Sequence, residues 1–115
     1  MRDEPFCYLT TTGRVTGTPH RIEIWFATED ERTLLLMAGG RDASDWVRNL
    51  AVDPDVEVEV AGTTLQACAR ILEEGTDEDA LARRLLVGKY GTGQDLEGWG
   101  RTALAVALDL DPIGA

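Results

Sequence analysis

Cysteine, histidine and lysine are scarce in this sequence. Its 115 residues include two cysteines, one histidine and a single lysine. Cys7 and Cys68 lie far apart and form neither a CxxC motif nor a Cys/His cluster, so the sequence predicts no metal site of the zinc type. We expect both thiols to be free, as they are in a reducing cytosol.

Positive charge and long apolar segments are lacking as well. The net charge is −10, with 21 acidic residues against 11 basic ones. Because nucleic acids and anionic membrane surfaces are bound by clustered cations, this balance argues against both partners. The N-terminal segment has no apolar core of the kind found in signal peptides, and no apolar run is long enough to cross a bilayer. We therefore expect a cytoplasmic protein.

What the sequence does contain is enough apolar material for one small domain. The hydrophobic fraction is 43%, and the length is close to that of a typical domain, so we expect residues 1–115 to fold as a single unit. A domain of this size has little stability to spare. A second copy that covered a flat apolar face would stabilise it, and we expect a homodimer.

Apolar alternation and turn residues predict about six strands and two short helices. The first helix is expected at about 44–52, and the second starts at Thr76 or Asp77 and ends near Lys89 and Tyr90. Consecutive hairpins make the sheet antiparallel, and closure into a small barrel would remove its edges. Trp25 and Trp99 are expected in the core or at a dimer interface. The predicted strands are 6–12, 20–28, 33–38, 56–60, 63–72 and 102–110.

Two glycine-containing segments have the composition of anion sites. Residues 11–21 form a turn with glycines, hydroxyls and arginines, in which the backbone can approach a phosphate and a guanidinium can bind it. An ordinary β-turn with solvated arginines is the alternative interpretation. Gly39, Gly40 and Arg41 precede a helix start, which indicates either a second anion site or a helix cap.

Trp46 and Asn49 lie three residues apart on the first predicted helix, so they can face the same cavity. There the indole would wall a planar ring and the amide would bond its polar edge. A core tryptophan beside an asparagine that caps locally remains the alternative.

Taken together and in this order, these segments resemble the deazaflavin-dependent nitroreductase family, part of the split β-barrel flavin and deazaflavin oxidoreductases. The resemblance spans nearly the whole chain. It is carried by LTTTGRVTGTPHRIEIWF (9–26), GGRDASDWVRNL (39–50), DPDVEVEVAG (53–62) and ARRLLVGKYGTG (82–93).

The resemblance implies a mainly β (α+β) fold, an FMN-binding-like split barrel of antiparallel strands. It also implies a dimer that binds coenzyme F-420, a deazaflavin hydride carrier, and reduces a small conjugated or nitro acceptor. Tyr90 matches a tyrosine of the substrate-side loop and is the candidate catalytic residue that protonates or orients the acceptor. The expected cofactor-binding residues are Arg14, Thr16, Gly17, His20, Gly39, Gly40, Arg41, Trp46 and Asn49.

The sequence departs from the family at several of these places. Val15 stands where a second basic residue is common, and Met37 and Ala38 replace a serine and a lysine. Fewer cations suit a cofactor without a polyanionic tail, so FMN is the alternative cofactor. A non-catalytic protein that binds a cofactor or another ligand is the second alternative.

Overall fold

The computed structural model describes residues 1–111, which contain one six-stranded antiparallel sheet and three α-helices. The strand order across the sheet is β2-β1-β4-β5-β6-β3. The chain therefore runs as hairpins, apart from the crossings that place β3 at the edge opposite β2. The strands are β1 (Cys7–Thr12), β2 (Pro19–Ile24), β3 (Thr33–Ala38), β4 (Asp55–Val60), β5 (Thr63–Ile71) and β6 (Leu104–Leu110).

The sheet curls until its two edge strands meet at one point. Ala27, just beyond β2, exchanges two backbone hydrogen bonds with Leu35 of β3, at N–O distances of 3.0 and 2.8 Å. The pairing is an isolated bridge, so β2 and β3 are joined at one end and separate toward the other. This half-closed barrel confirms the predicted split-barrel fold.

The core has two layers, one on each face of the curled sheet. Leu9, Leu34 and Val58 point inside the barrel and are fully buried. Leu35 of β3 and Leu86 of the second helix belong to a separate buried cluster on the outer face. Because β3 and β6 are covered on both faces, they read as continuous apolar runs, whereas β1 and β4 alternate.

The helices are α1 (Asp45–Val52), α2 (Asp77–Tyr90) and α3 (Glu97–Thr102), and a short 3-10 helix (Arg41–Ala43) precedes α1. Thr76 caps α2, since its side chain accepts a hydrogen bond from the amide of Asp79 at 3.2 Å. In the part of the chain that the structure describes, no helix is long and apolar enough to span a membrane.

The structure confirms the predicted strands and the two longer helices, with two differences. The strand expected at 20–28 ends at Ile24, because the backbone of Phe26 is bonded by side chains instead of a neighbouring strand: its N–H donates to Tyr90 Oη at 3.1 Å and its carbonyl accepts from Lys89 Nζ at 2.9 Å. The second difference is α3, a helical turn in a segment predicted as a glycine-rich loop.

Candidate functional site

A cavity of about 460 Å³ lies between the β1–β2 hairpin and the start of α1. The loop of the hairpin and the helix supply most of its wall, and the rest comes from the strands β1 and β2. The residues that line it are Thr11, Gly13, Arg14, Val15, Thr16, His20, Ile22, Asp45, Trp46 and Asn49.

Backbone hydrogen bonds within the hairpin loop set its shape. The Gly13 amide donates to the carbonyl of Thr18 at 2.8 Å, and the Gly17 amide donates to the carbonyl of Gly13 at 2.9 Å. Gly17 has a φ of 76°, which favours glycine. The amides of Val15 and Thr16 make no hydrogen bond within residues 1–111, so they are free to bind an anion.

Asn49 ties this hairpin to α1. Its side chain is 3% exposed, and its Nδ2 donates to Thr11 Oγ1 at 3.1 Å. Its Oδ1 accepts from the Arg14 amide at 3.2 Å and from Arg14 Nη1 at 2.8 Å. One amide hydrogen and the carbonyl oxygen of Asn49 are therefore bonded within the protein, and these bonds fix the position of the Arg14 guanidinium.

The outer side of the same guanidinium faces a carboxylate. Arg14 Nη2 lies 3.3 Å from Asp45 Oδ1. The Asp45 side chain is 86% exposed and that of Arg14 is 29% exposed. The pair is thus a surface ion pair at the cavity mouth, of a kind that contributes little to stability.

Trp46 and His20 complete the walls. The partly buried indole of Trp46 packs against the barrel core and borders the cavity. His20 packs close to Gly13: a Cβ on that glycine would stand 2.7 Å from His20 Nε2. A larger residue at 13 would push the imidazole away, so the glycine permits this wall.

A second cavity, of about 440 Å³, lies farther along β2 and has aromatic walls. Trp25 forms part of its wall, with its ring stacked on Tyr90 at 4.3 Å between centroids and 2° between planes. Trp99 of α3 packs edge-on against Trp25 at 5.7 Å. The residues lining this aromatic cleft are Glu23, Ile24, Trp25, Met37, Leu96 and Trp99.

Tyr90, the candidate catalytic residue, stands behind Trp25. Its hydroxyl accepts from the Phe26 amide at 3.1 Å and lies 2.8 Å from the carbonyl of Pro5 and 3.0 Å from that of Phe26. Its single proton is therefore committed to a backbone carbonyl. Burial raises the pKa of Tyr90 above its ordinary value, so the phenol stays neutral.

Lys89 is a charged residue that the sequence did not single out. Its Nζ donates to the Phe26 carbonyl and lies 4.0 Å from the centroid of the Phe26 ring. Burial lowers the pKa of Lys89 below its ordinary value. The only sequence signal was that this is the sole lysine in an arginine-rich chain.

The segment from Gly39 to Arg41 does not line the hairpin cavity. Arg41 has a φ of 52°. Its Nη2 lies 2.5 Å from Oε1 of Glu74, in the segment that precedes α2, and its Nη1 bonds the Thr102 carbonyl. Gly39 faces Trp99. The predicted residues thus fall into three groups. Tyr90 stands behind the aromatic cleft, while Gly39 and Arg41 contact α3 and Gly40 lies between them. The hairpin cavity is lined by Arg14, Thr16, His20, Trp46 and Asn49, with Gly17 in the loop.

The two cavities are neighbours along one strand. Ile22 borders the hairpin cavity and Ile24 borders the aromatic cleft. Residues two apart on a strand share a face and are separated by roughly 7 Å. A ligand with an anionic group at one end and a planar ring at the other could therefore reach from the first cavity to the second. In the described residues, no cluster of three metal-ligating side chains occurs.

The curled sheet, joined at one end and open along β2, defines this protein as a member of the split-barrel class. Solved structures agree. The heme storage protein HutZ from Vibrio cholerae is 15% identical, with a TM-score of 0.75 over 95% of this chain and 83% of that one. An F420-H2 dependent reductase, FDR-A, is 23% identical, with a TM-score of 0.73 over 91% of this chain and 94% of that one. A structure described as a domain-swapped dimer is 22% identical, with a TM-score of 0.74 over 91% and 80%.

The sequence defines the family more narrowly than these folds do. Residues 1–111 match the family described as F420H(2)-dependent quinone reductase. The chain belongs to this family, which confirms the resemblance to the deazaflavin-dependent reductases.

Proposed function

We propose that this protein is an oxidoreductase that reduces a small conjugated acceptor, such as a quinone, an enone or a nitroarene, with reduced coenzyme F-420. One observation carries the proposal: a cavity with anion-binding groups and a cleft with aromatic walls lie side by side along β2. Membership of a family of deazaflavin-dependent quinone reductases supports the same reading.

The residues of the hairpin cavity fit the phosphate end of such a cofactor. The Arg14 guanidinium and the free amides of Val15 and Thr16 are suited to a phosphate, and Trp46 offers a flat wall to a planar ring. When bound, the cofactor would supply a hydride. The protein would supply position and the exclusion of water.

The aromatic cleft is the place we propose for the acceptor. Trp25 and Trp99 present flat and edge-on surfaces that suit a planar, apolar molecule, and Met37 adds an adaptable apolar wall. Tyr90 holds Trp25 in place through the stacked rings and holds the end of β2 through its hydroxyl. Within this proposal Tyr90 orients the acceptor through Trp25, because its own proton is already bonded.

The second candidate is a protein that binds the cofactor without turning over an acceptor. The observation that favours it is the same commitment of the Tyr90 hydroxyl, since it leaves the candidate proton donor engaged elsewhere. Tight cofactor binding with no consumption of reduced F-420 in the presence of quinones, enones and nitroarenes would support this candidate.

The test of the proposed function is a fluorescence titration with oxidised F-420, with FMN in parallel. In Arg14→Ala the loss of a charge-assisted contact should weaken F-420 binding by roughly 10- to 150-fold, equivalent to about 1.5–3 kcal/mol. Arg84→Ala is the matched control, because it removes the same charge from an exposed position of α2. Equal affinities of the two variants would refute the assignment, and binding of FMN alone would move the proposal to the alternative cofactor.

We further propose that the protein acts in the cytoplasm as a homodimer. Its short chain and the similarity to a structure described as a domain-swapped dimer support this. Sedimentation equilibrium tests it: a single species near 12.5 kDa, the mass of one chain, would contradict the proposal.

A further inference from the structure

We propose that Asp45 is a specificity-determining residue, which competes with anionic ligands for the guanidinium of Arg14. The inference rests on the proposed function in one respect, namely that the hairpin cavity is the ligand site. It adds a selection against ligands that carry clustered negative charge at this end.

The two terminal nitrogens of the Arg14 guanidinium have different partners. Nη1 is bonded at 2.8 Å to the buried Asn49, which the Arg14 backbone amide also contacts. Nη2 makes no hydrogen bond to Asn49 and meets the Asp45 carboxylate at 3.3 Å. The inner nitrogen is thus fixed by the fold, and the outer nitrogen is the donor that a ligand in the cavity would use.

The Asp45 carboxylate binds Arg14 Nη2 and can be displaced from it. It begins α1, which fixes its backbone beside the cavity, and its carbonyl oxygen is also within 3.5 Å of Arg14 Nη1. Its side chain is 86% exposed, and no hydrogen bond other than the one to Arg14 holds its carboxylate within residues 1–111. An arriving phosphate must therefore displace Asp45 from Nη2 or lie next to its negative charge.

The competition between Asp45 and a ligand is significant because few charged groups line the cavity. The lining holds one guanidinium, one imidazole and one carboxylate, from Arg14, His20 and Asp45. The carboxylate offsets part of the positive charge of the guanidinium, so an anion is attracted less than it would be by the guanidinium and the amides alone. An anionic ligand that binds Arg14 must break the ion pair with Asp45 and is also repelled by that carboxylate. Together these two effects should lower the affinity for the ligand by roughly 3- to 10-fold.

The preferred ligand end is consequently one with few negative charges. A single phosphate, or a neutral hydroxylated group, can share Arg14 with Asp45 at small cost. A group with several negative charges close together is repelled more strongly by the Asp45 carboxylate. Salt should weaken that repulsion, because the ion pair of Arg14 and Asp45 lies at the surface.

The experiment compares Asp45→Asn with Asp42→Asn in the full chain. Both substitutions remove one negative charge, but Asp42 lies outside the cavity lining. The probe is pyrophosphate, followed by the chemical shifts of the Val15 and Thr16 amides, and riboflavin serves as a ligand without phosphate. We expect pyrophosphate to bind Asp45→Asn about 3- to 10-fold more tightly than the wild type, Asp42→Asn to match the wild type, and riboflavin to respond to neither change.

Failure of this inference can be told apart from failure of the proposed function. Equal gains in both variants would show a net-charge effect and overturn the inference, as would amide shifts that do not change with pyrophosphate. If the wild type and Asp45→Asn bind F-420 equally, the inference is wrong while the proposed function stands. If neither binds F-420 or FMN but pyrophosphate still prefers Asp45→Asn, the cofactor assignment is wrong and the inference stands. Asp45→Ser, which also lacks the charge, replaces Asp45→Asn if that variant is unfolded.

Discussion

Removal of the Asn49 side chain tests whether this residue belongs to the fold or to the ligand. The sequence places it with Trp46 on one helix face and predicts a contact with the cofactor ring. In the structure Asn49 lines the cavity and also has protein partners, at Thr11 and at two nitrogen atoms of Arg14. We therefore expect Asn49→Ala to lower the stability of the protein in the absence of any ligand.

The magnitude follows from the three bonds. Two of them join neutral groups and contribute about 0.5–1.5 kcal/mol each, and the third joins a guanidinium and contributes about 1.5–3 kcal/mol. The Arg14 side chain is 29% exposed, so water can replace part of the last contribution. The free energy of unfolding should fall by about 2–4 kcal/mol, since the buried hydroxyl of Thr11 is also left unpaired.

The assay is equilibrium unfolding in urea, with Ser44→Ala as the control. Ser44 precedes the same helix but its side chain makes no cap hydrogen bond, so the control should stay within about 0.5 kcal/mol of the wild type. A double-mutant cycle with Thr11→Val should give a coupling energy of about 0.5–1.5 kcal/mol for the buried pair. A loss below about 0.5 kcal/mol in Asn49→Ala would refute the reasoning, because no satisfied buried amide is so dispensable.

Three further predictions concern the frame around the site. Leu86→Ala should lower the free energy of unfolding by about 2–5 kcal/mol, because this fully buried side chain joins α2 to the sheet; thermal unfolding measures it. Gly13→Ala should destabilise the hairpin, because a Cβ there would lie 3.0 Å from the Thr18 carbonyl; amide exchange at the hairpin reports it. Burial alone would raise the pKa of Asp79, but Arg83 and a backbone amide lower it overall, so its stabilisation is complete above the unfolded pKa of about 3.9 and is lost as the pH falls through the folded value. The gap in unfolding free energy between wild type and Asp79→Asn should therefore narrow on acidification below about pH 4.

Local pattern was enough for most of the fold. In β4 the valines alternate with glutamates, and each valine is buried while its neighbours are at least partly exposed. Such a strand is fixed by its own sequence. The helix α3 is different, since the sequence EGWGRT contains two glycines and has low helix propensity. It is held from outside, by the packing of Trp99 on Trp25 and by Arg83, whose Nη1 bonds the Gly100 carbonyl at 3.1 Å.

The site was predictable as a region but not as a set of contacts. The glycine and arginine pattern of the hairpin singled out a turn that the structure places along a cavity, because turn geometry is local. The partner of Arg41 was not readable, since Glu74 is 33 residues away and meets it only through the tertiary fold. The same holds for Trp25: its stacking on Tyr90 joins residues 25 and 90, and neither lies near the other in the sequence.

The split in the barrel explains why the aromatic cleft exists. Continued antiparallel pairing from the bridge between Ala27 and Leu35 would bring Trp25 opposite Met37 and close the sheet. Instead, the backbone of Phe26 is bonded by Tyr90 and Lys89, and the aromatic cleft opens where the next pair would form. In place of hydrogen bonds between β2 and β3, this end of the sheet has side-chain bonds to Phe26 and the stacked rings of Trp25 and Tyr90. A change that released the hydrogen bonds of Tyr90 and Lys89 to the Phe26 backbone would let β2 and β3 pair further. It should therefore narrow the cleft and lower the affinity for the acceptor.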